Sequence, residues 1–187
     1  SRKQFMLLDG SPILLHTIRK FAASSSISEI VVALRGDDLP WAAEMLAAER
    51  LSKPVRLVEG GDSRQQSVEN ALASLAPDTD LVAVHDAVRP FIDLELIEQV
   101  ITEAAANGAA IVGIVPVDTV KQVHKNKIRA TLNRDRLILA QTPQVFRYGL
   151  LARAMGLCIE RERIVTDEAS AIEALGLRPL LVRGHAD

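Results

Sequence analysis

Cysteine is almost missing: Cys158 stands alone in 187 residues, so no internal disulfide can form and the thiol is expected as a small core hydrophobe. Four scattered histidines give no zinc-ligand spacing. No apolar run approaches the length that spans a bilayer, and Ser1-Arg2-Lys3-Gln4 leads into no signal-peptide core. The expected location is therefore the cytoplasm, with no membrane partner. A basic excess is also lacking. The net charge is −2, whereas a nucleic-acid binder needs a cationic face to displace counterions from phosphates. Any phosphate bound here must be met by a local cluster of cations. The dinucleotide fingerprint Gly-x-Gly-x-x-Gly and the Walker lysine motif are both missing, which leaves a nicotinamide dehydrogenase and a P-loop enzyme unsupported. Repeats, linkers and low-complexity segments are missing too.

What is present reads as one α/β domain over residues 1–187. Apolar runs expected as strands at 29–34, 55–58, 81–84 and 109–115 alternate with helical patterns, the first opened by Ser11 as N-cap and Pro12 as first helical residue. Such alternation implies a mostly parallel, doubly wound sheet with helices on both faces. Leu81 to Val84 is continuously apolar, so both its faces are expected under helices. Gly108 is the expected stop of the helix before the 109–115 strand. The pattern breaks at Pro116. From about 117 to 135 the chain reads as a β-hairpin arm turning at Lys125-Asn126-Lys127, and a ribbon of two strands is marginal unless it packs against something, such as a second subunit. Beyond it, 140–144 re-enters the core, 149–157 is helical, Thr166 is the expected cap of a helix running to Leu175, and 179–182 is a last strand.

Chemistry concentrates where apolar strands end. The run Asp80 to Phe91 stops abruptly at His85-Asp86-Ala87-Val88-Arg89-Pro90, placing an acid and a base at the carboxyl edge of the sheet, where open α/β folds collect ligands. Gly60-Gly61-Asp62-Ser63-Arg64 lies between a strand and a helix, where backbone amides can approach a ligand closely. Each stretch alone has a plain reading as a turn, and the charged residues flanking the arm, Asp118 to Lys121 and Asn133 to Arg136, read equally well as a solvated hairpin.

Taken together, Lys3-Gln4-Phe5, Gly60 to Arg64, His85 to Pro90, Pro116-Val117-Asp118-Thr119, Gln141-Thr142-Pro143-Gln144 and Thr166-Asp167-Glu168-Ala169-Ser170, in that order, resemble the 2-C-methyl-D-erythritol 4-phosphate cytidylyltransferase family. The resemblance spans nearly the whole chain. It implies a Rossmann-like nucleotidyltransferase sheet with a protruding β-hairpin arm, and a homodimer that exchanges those arms. The implied reaction is transfer of CMP from CTP to methylerythritol phosphate in non-mevalonate isoprenoid synthesis. By the same resemblance Gly61, Asp62 and Ser67 read the cytosine, Arg64 supports that loop, and Asp86 and Ala87 meet the ribose and α-phosphate. Asp86 also helps to position magnesium, a hard cation suited to oxygen ligands. Lys3 neutralises the triphosphate. Thr119, Arg134 and Arg89 grip the sugar phosphate, with Thr142 and Thr166 on the parent subunit's side, so that Lys3, Asp86 and Arg134 carry the catalysis.

The chain departs from the family in two places. The family's apolar first strand and glycine-rich loop, expected ahead of Lys3, and its C-terminal segment with a second lysine, expected beyond Asp187, are both missing from the 187 residues, which suggests a trimmed portion of a longer enzyme. Arg2 also stands where the family commonly has proline. Two competing readings remain. One is the sister cytidylyltransferase for ribitol 5-phosphate, against which Thr166 to Ser170 argues. The other is a non-catalytic nucleotide-binding remnant of the fold.

Overall fold

The structure is a computed structural model, and it describes residues 7–8 and 10–184. Lys3, with Arg2, Gln4 and Phe5, lies outside the described residues.

Two short strands, β1 (Leu7–Leu8) and β2 (Ser11–Pro12), pair antiparallel just before helix α1 (Ile13–Ala22). Ser11 is thus not the cap. Pro12 holds that position with φ −58° and ψ 145°, and the Ser11 hydroxyl instead accepts from Arg19 Nη1 at 3.4 Å. The helix begins at Ile13, one residue later than expected, so Ser11 stands one residue too early for its hydroxyl to cap the first-turn amides. β3 (Ile30–Leu34), α2 (Leu39–Ala47) and β4 (Val55–Glu59) follow, and β3 and β4 pair in parallel. After α3 (Arg64–Ala73) come β5 (Leu81–Val84), α4 (Leu94–Asn107) and β6 (Ala109–Ile114). Gly108, at φ +89°, stops α4 in the left-handed conformation that glycine adopts without strain.

The arm follows as β7 (Val120–His124) and β8 (Lys127–Leu132), an antiparallel hairpin whose tip residues Lys125 and Asn126 have φ of 48° and 61°. The chain then returns through β9 (Leu139–Arg147), α5 (Tyr148–Glu160), α6 (Glu168–Glu173) and β10 (Leu180–Arg183). The larger sheet has the order β10-β6-β9-β5. β10 and β6 are parallel, and β9 runs antiparallel between β6 and β5, so three of these four strands share one direction.

Period-two alternation divides the core. Ala110, Val112 and Val145 face α4, packing with Leu96, Val100 and Ala104. Their neighbours Ala109, Ile111 and Phe146 face α5 and α6, against Leu151, Met155 and Ile172. Helices thus cover both faces of this sheet, as the strand and helix alternation implied. Phe146 is fully buried, and its truncation to alanine is expected to cost about 3–5 kcal/mol, read from denaturant melts.

β5 departs from expectation. Its residues are half-buried and Ala83 is exposed. Among the described residues β5 pairs with β9 on one side, and on the other it faces β3 across a cavity of about 910 Å³ that α1 and α3 also line.

A polar strut ties α1 to α4. Ser24 is fully buried and donates from Oγ to Glu98 Oε1, while Ser26 donates to Oε2 at 2.6 Å. The hydrogen bonds from Ser24 and Ser26 hold the Glu98 carboxyl below its ordinary value, outweighing burial. A depressed carboxyl stabilises the fold above the unfolded pKa near 4.5, and that contribution disappears as pH falls through the folded value. The melting temperature of wild type should therefore exceed that of Glu98→Gln at pH 6, and the gap should close toward pH 3.

Candidate active site

Asp86 sits just past the carboxyl end of β5, and a turn closed by Arg89 N–H donating to Asp86 O at 3.1 Å swings the chain away from the sheet. Its side chain keeps one-third of its surface exposed. Two cations reach it at long range: Arg64 Nη2 lies 3.5 Å from Oδ1 and Arg89 Nε 3.3 Å from Oδ2. The Asp86 amide donates to Thr142 Oγ1 at 3.3 Å, and Arg89 Nη1 donates to Gln141 Oε1 at 3.4 Å. Asp86 thus touches both Arg89, from its own motif, and Thr142, from another, as expected of residues at one site. The Ala87 carbonyl accepts from the buried Thr17 hydroxyl at 2.8 Å, so α1 braces the same turn.

His85 shapes the turn from inside. Its Nε2 is 2.8 Å from the Arg89 carbonyl, which can only accept, so Nε2 carries the proton and Nδ1 the lone pair. Burial pushes the His85 pKa below the ordinary histidine value, and its ring packs on Phe21 with centroids 4.7 Å apart.

The glycine loop is built for close approach. Gly60 N–H donates to Leu34 O at 2.7 Å, Gly61 N–H to Ser67 Oγ at 3.1 Å, and Asp62 N–H to Gln66 Oε1 at 2.7 Å. Ser67 in turn donates to Ser63 O at 3.0 Å, and the Ser63 hydroxyl caps α3 by accepting from Gln66 N–H. A Cβ on Gly61 would lie 2.3 Å from Gln66 Cγ, so any side chain there would displace the residue that fixes Asp62. The Asp62 carboxylate is exposed, with no hydrogen bond among the described residues.

Arg64 reaches away from that loop. It binds the fully buried Glu168 with two nitrogens, Nη1 to Oε2 at 2.8 Å and Nη2 to Oε1 at 3.0 Å. Burial works against the Arg64 charge, but Glu168 first and Asp86 next raise its pKa above the ordinary value. Asp167, not Thr166, is the N-cap of α6: its Oδ1 accepts from Ser170 N–H at 2.9 Å, and Thr166 is exposed one residue earlier. Either residue type caps well, and neither propensity nor motif separates neighbours; the tertiary bond from Gln144 Nε2 to Asp167 Oδ2, 2.9 Å, selects the aspartate. Burial works against the Asp167 charge, yet the bonds from Gln144 and Ser170 hold its carboxyl below the usual range. Gln144, 1% exposed, also accepts from Ala169 N–H at 3.0 Å.

The sequence motifs enclosed Glu168 and Gln144 without giving either a role, and Thr17 was not singled out. No local signal marks them, because each acts through a partner at least 23 residues away.

The remaining expected residues lie on the arm's root. Thr119 is exposed at the foot of β7, and Arg134, in a 3-10 turn after β8, donates through Nη1 to the Val117 carbonyl. Among the described residues no hydrogen bond or ion pair joins either to Asp86. The described residues also contain no group of three or more His, Cys, Asp or Glu placed to hold a metal.

The sequence model of the family described as 2-C-methyl-D-erythritol 4-phosphate cytidylyltransferase (IspD) matches residues 1–187. The enzyme of that name from Solibacter usitatus is 56% identical over 188 residues, covering 98% of this chain and 77% of its own length. That from Acidobacterium capsulatum is 43% identical, covering 97% and 78%. Among solved structures, 4-diphosphocytidyl-2C-methyl-D-erythritol synthase from Anaerococcus prevotii superposes with TM-score 0.91 at 29% identity, covering 98% of this chain and 82% of that one. The Francisella tularensis cytidylyltransferase gives TM-score 0.84 at 35% identity, with 98% and 84% covered. A family match from the first residue to the last, joined to relatives and structures that agree with it, means that the chain belongs to the 2-C-methyl-D-erythritol 4-phosphate cytidylyltransferases.

Proposed function

We propose that the site at the carboxyl end of β5 performs the family's reaction, CTP-dependent cytidylyl transfer to 2-C-methyl-D-erythritol 4-phosphate with release of pyrophosphate. The observation that carries this reading is the meeting of Asp86, Arg64, Arg89 and Thr142 beside a glycine loop whose amides are already fixed. Gly61, Asp62 and Ser67 read the base: the exposed Asp62 carboxylate accepts from the cytosine amino group, which uracil lacks. Asp86 and Ala87 meet the ribose and α-phosphate. Arg89 and Thr142 take the acceptor phosphate beside them, with Thr166 on the same subunit's side.

An oxygen of the acceptor phosphate attacks the α-phosphorus in line, the bond to the β-phosphate oxygen breaks, and its electron pair leaves with pyrophosphate. No covalent enzyme intermediate is required. The protein aligns two polyanions and stabilises charge growing on the α-phosphate oxygens, with Lys3 assigned to the triphosphate. Asp86 fits magnesium, whose usual ligands are one or two carboxylates completed by substrate phosphates, because among the described residues the ion pairs to its oxygens are no shorter than 3.3 and 3.5 Å. When bound, the ion would neutralise triphosphate charge.

The arm supports a homodimer. Val117 is 77% exposed, Val123 59% and Ile128 67%, more apolar surface than a solvated ribbon needs. Exchanged arms would carry Thr119 and Arg134 into the partner's site, where the Arg134 guanidinium can hold a phosphate through two parallel bonds. We place the enzyme in the cytoplasm as a single domain, beside its nucleotide substrate. Phosphorus NMR of the reaction should show a new pair of coupled resonances as the acceptor phosphate becomes part of a diphosphate bridge. Asp62→Ala should lower CTP affinity about tenfold and UTP affinity little. Titration with both nucleotides decides this, and an equal fall in the two affinities would remove the base-reading role.

A further inference from the structure

Glu168 is a buried carboxylate that the reaction as described does not use. It is 0% exposed, and an isolated charge in such a place is strongly disfavoured unless paired and hydrogen-bonded. Arg64 supplies both bonds, at 2.8 and 3.0 Å. The same guanidinium edge is also 3.5 Å from Asp86 Oδ1. One cation therefore stands between two carboxylates, one dry and held by two short bonds, the other one-third exposed and held loosely. The next residue repeats the connection: Gln65 Oε1 accepts from Val165 N–H at 2.9 Å, and Gln65 Nε2 donates to Arg163 O at 3.0 Å. The first turn of α3, which fixes the glycine loop, is thereby laced to the segment leading into α6.

We propose that Glu168 is a positioning residue for cytidylyl transfer: by holding Arg64 against the back wall of the site, it keeps the guanidinium from closing on Asp86 and leaves that carboxylate open to the nucleotide. Without the Glu168 charge, the nearest anion left to Arg64 is Asp86. A two-nitrogen pairing there would occupy both oxygens that the substrate side needs. Cytidylyl transfer would slow because Asp86 is engaged, while the glycine loop, held by Gln66 and Ser67, would still bind the nucleotide. The inference rests on the assignment of Asp86 to the reacting phosphates.

Steady-state kinetics of the full-length enzyme test it. Glu168→Gln keeps the shape of the side chain and removes its charge. It should lower kcat by about 10- to 100-fold, the range seen when a residue that orients a ligand through another is lost, and change the KM for CTP less than about threefold. A wild-type kcat in Glu168→Gln overturns the proposal. Should Glu168→Gln melt below the assay temperature, Glu168→Asp replaces it, since aspartate keeps the charge but is one methylene too short to hold both nitrogens. Reduced kcat with unchanged KM for CTP then sustains the proposal, and wild-type kcat overturns it. Asp86→Asn measured alongside separates the two claims. If it is slow while Glu168→Gln is not, only the positioning role fails; if it turns over like wild type, the assignment of Asp86 fails and the inference with it.

Discussion

Asp86→Asn should lower kcat by about two to three powers of ten while shifting the melting temperature by no more than a few degrees. Asparagine keeps the volume and can still accept from Arg89, so the turn at 86–89 closes as before. What disappears is the charge at the carboxyl end of β5, the point where Arg64, Arg89 and Thr142 meet. An anion beside growing negative charge stabilises nothing by itself, so the loss would come through the cation that the carboxylate would hold against the phosphates; about 2.7–4 kcal/mol, the typical cost of losing one preorganised electrostatic contribution, gives the stated factor in rate. The fold should tolerate the change because Arg64 retains Glu168 at 2.8 Å and Asp86 is one-third exposed. Rapid-quench turnover and thermal melts on the same sample give both quantities. A variant that is fully folded and fully active would remove Asp86 from the mechanism.

Arg134→Ala should raise the KM for methylerythritol phosphate by about 10- to 100-fold, the loss of a charge-assisted bond, and leave CTP affinity nearly unchanged. The residue follows β8 at the root of an arm whose apolar side chains lie open, and no bond among the described residues joins it to Asp86 of the same chain. If the arm is exchanged, Arg134 serves the partner's site. Mixing Arg134→Ala chains with Asp86→Asn chains then yields heterodimers in which one site carries both lesions and the other carries none. Random pairing of equal amounts makes about half of the dimers mixed, so about a quarter of wild-type activity should return. Were each site built from a single chain, activity would stay at the sum of the two variants measured separately.

Much of this was legible in the sequence for local reasons. The period of apolar residues marked the strands from β3 to β6 with their intervening helices, Gly108 marked the end of α4, and Lys125-Asn126-Lys127 marked the hairpin tip. Asp86 could be placed at a sheet edge because an apolar run ended there. The rest depends on distant partners. The direction of β9 is set by β5 and β6, and the stretch 140–144, expected to re-enter the core, takes its place as a strand between them only through those pairings. Ser11 is the expected cap because its neighbour is proline, but the helix begins at Ile13 and leaves Pro12 at the cap position. Thr166 and Asp167 are equally good caps by propensity, and only the bond from Gln144 decides between them. Glu168 looks like an ordinary first-turn acid until Arg64, 104 residues away, is seen to bury it.

The central claim is that this site joins CTP to methylerythritol phosphate, and pyrophosphate release by the full-length enzyme measures it directly. With CTP and magnesium present, release should be fast with 2-C-methyl-D-erythritol 4-phosphate, near background without an acceptor, and much slower with ribitol 5-phosphate at equal concentration. Equal or faster release with ribitol 5-phosphate, or binding of CTP with no release under any of these conditions, would contradict the account.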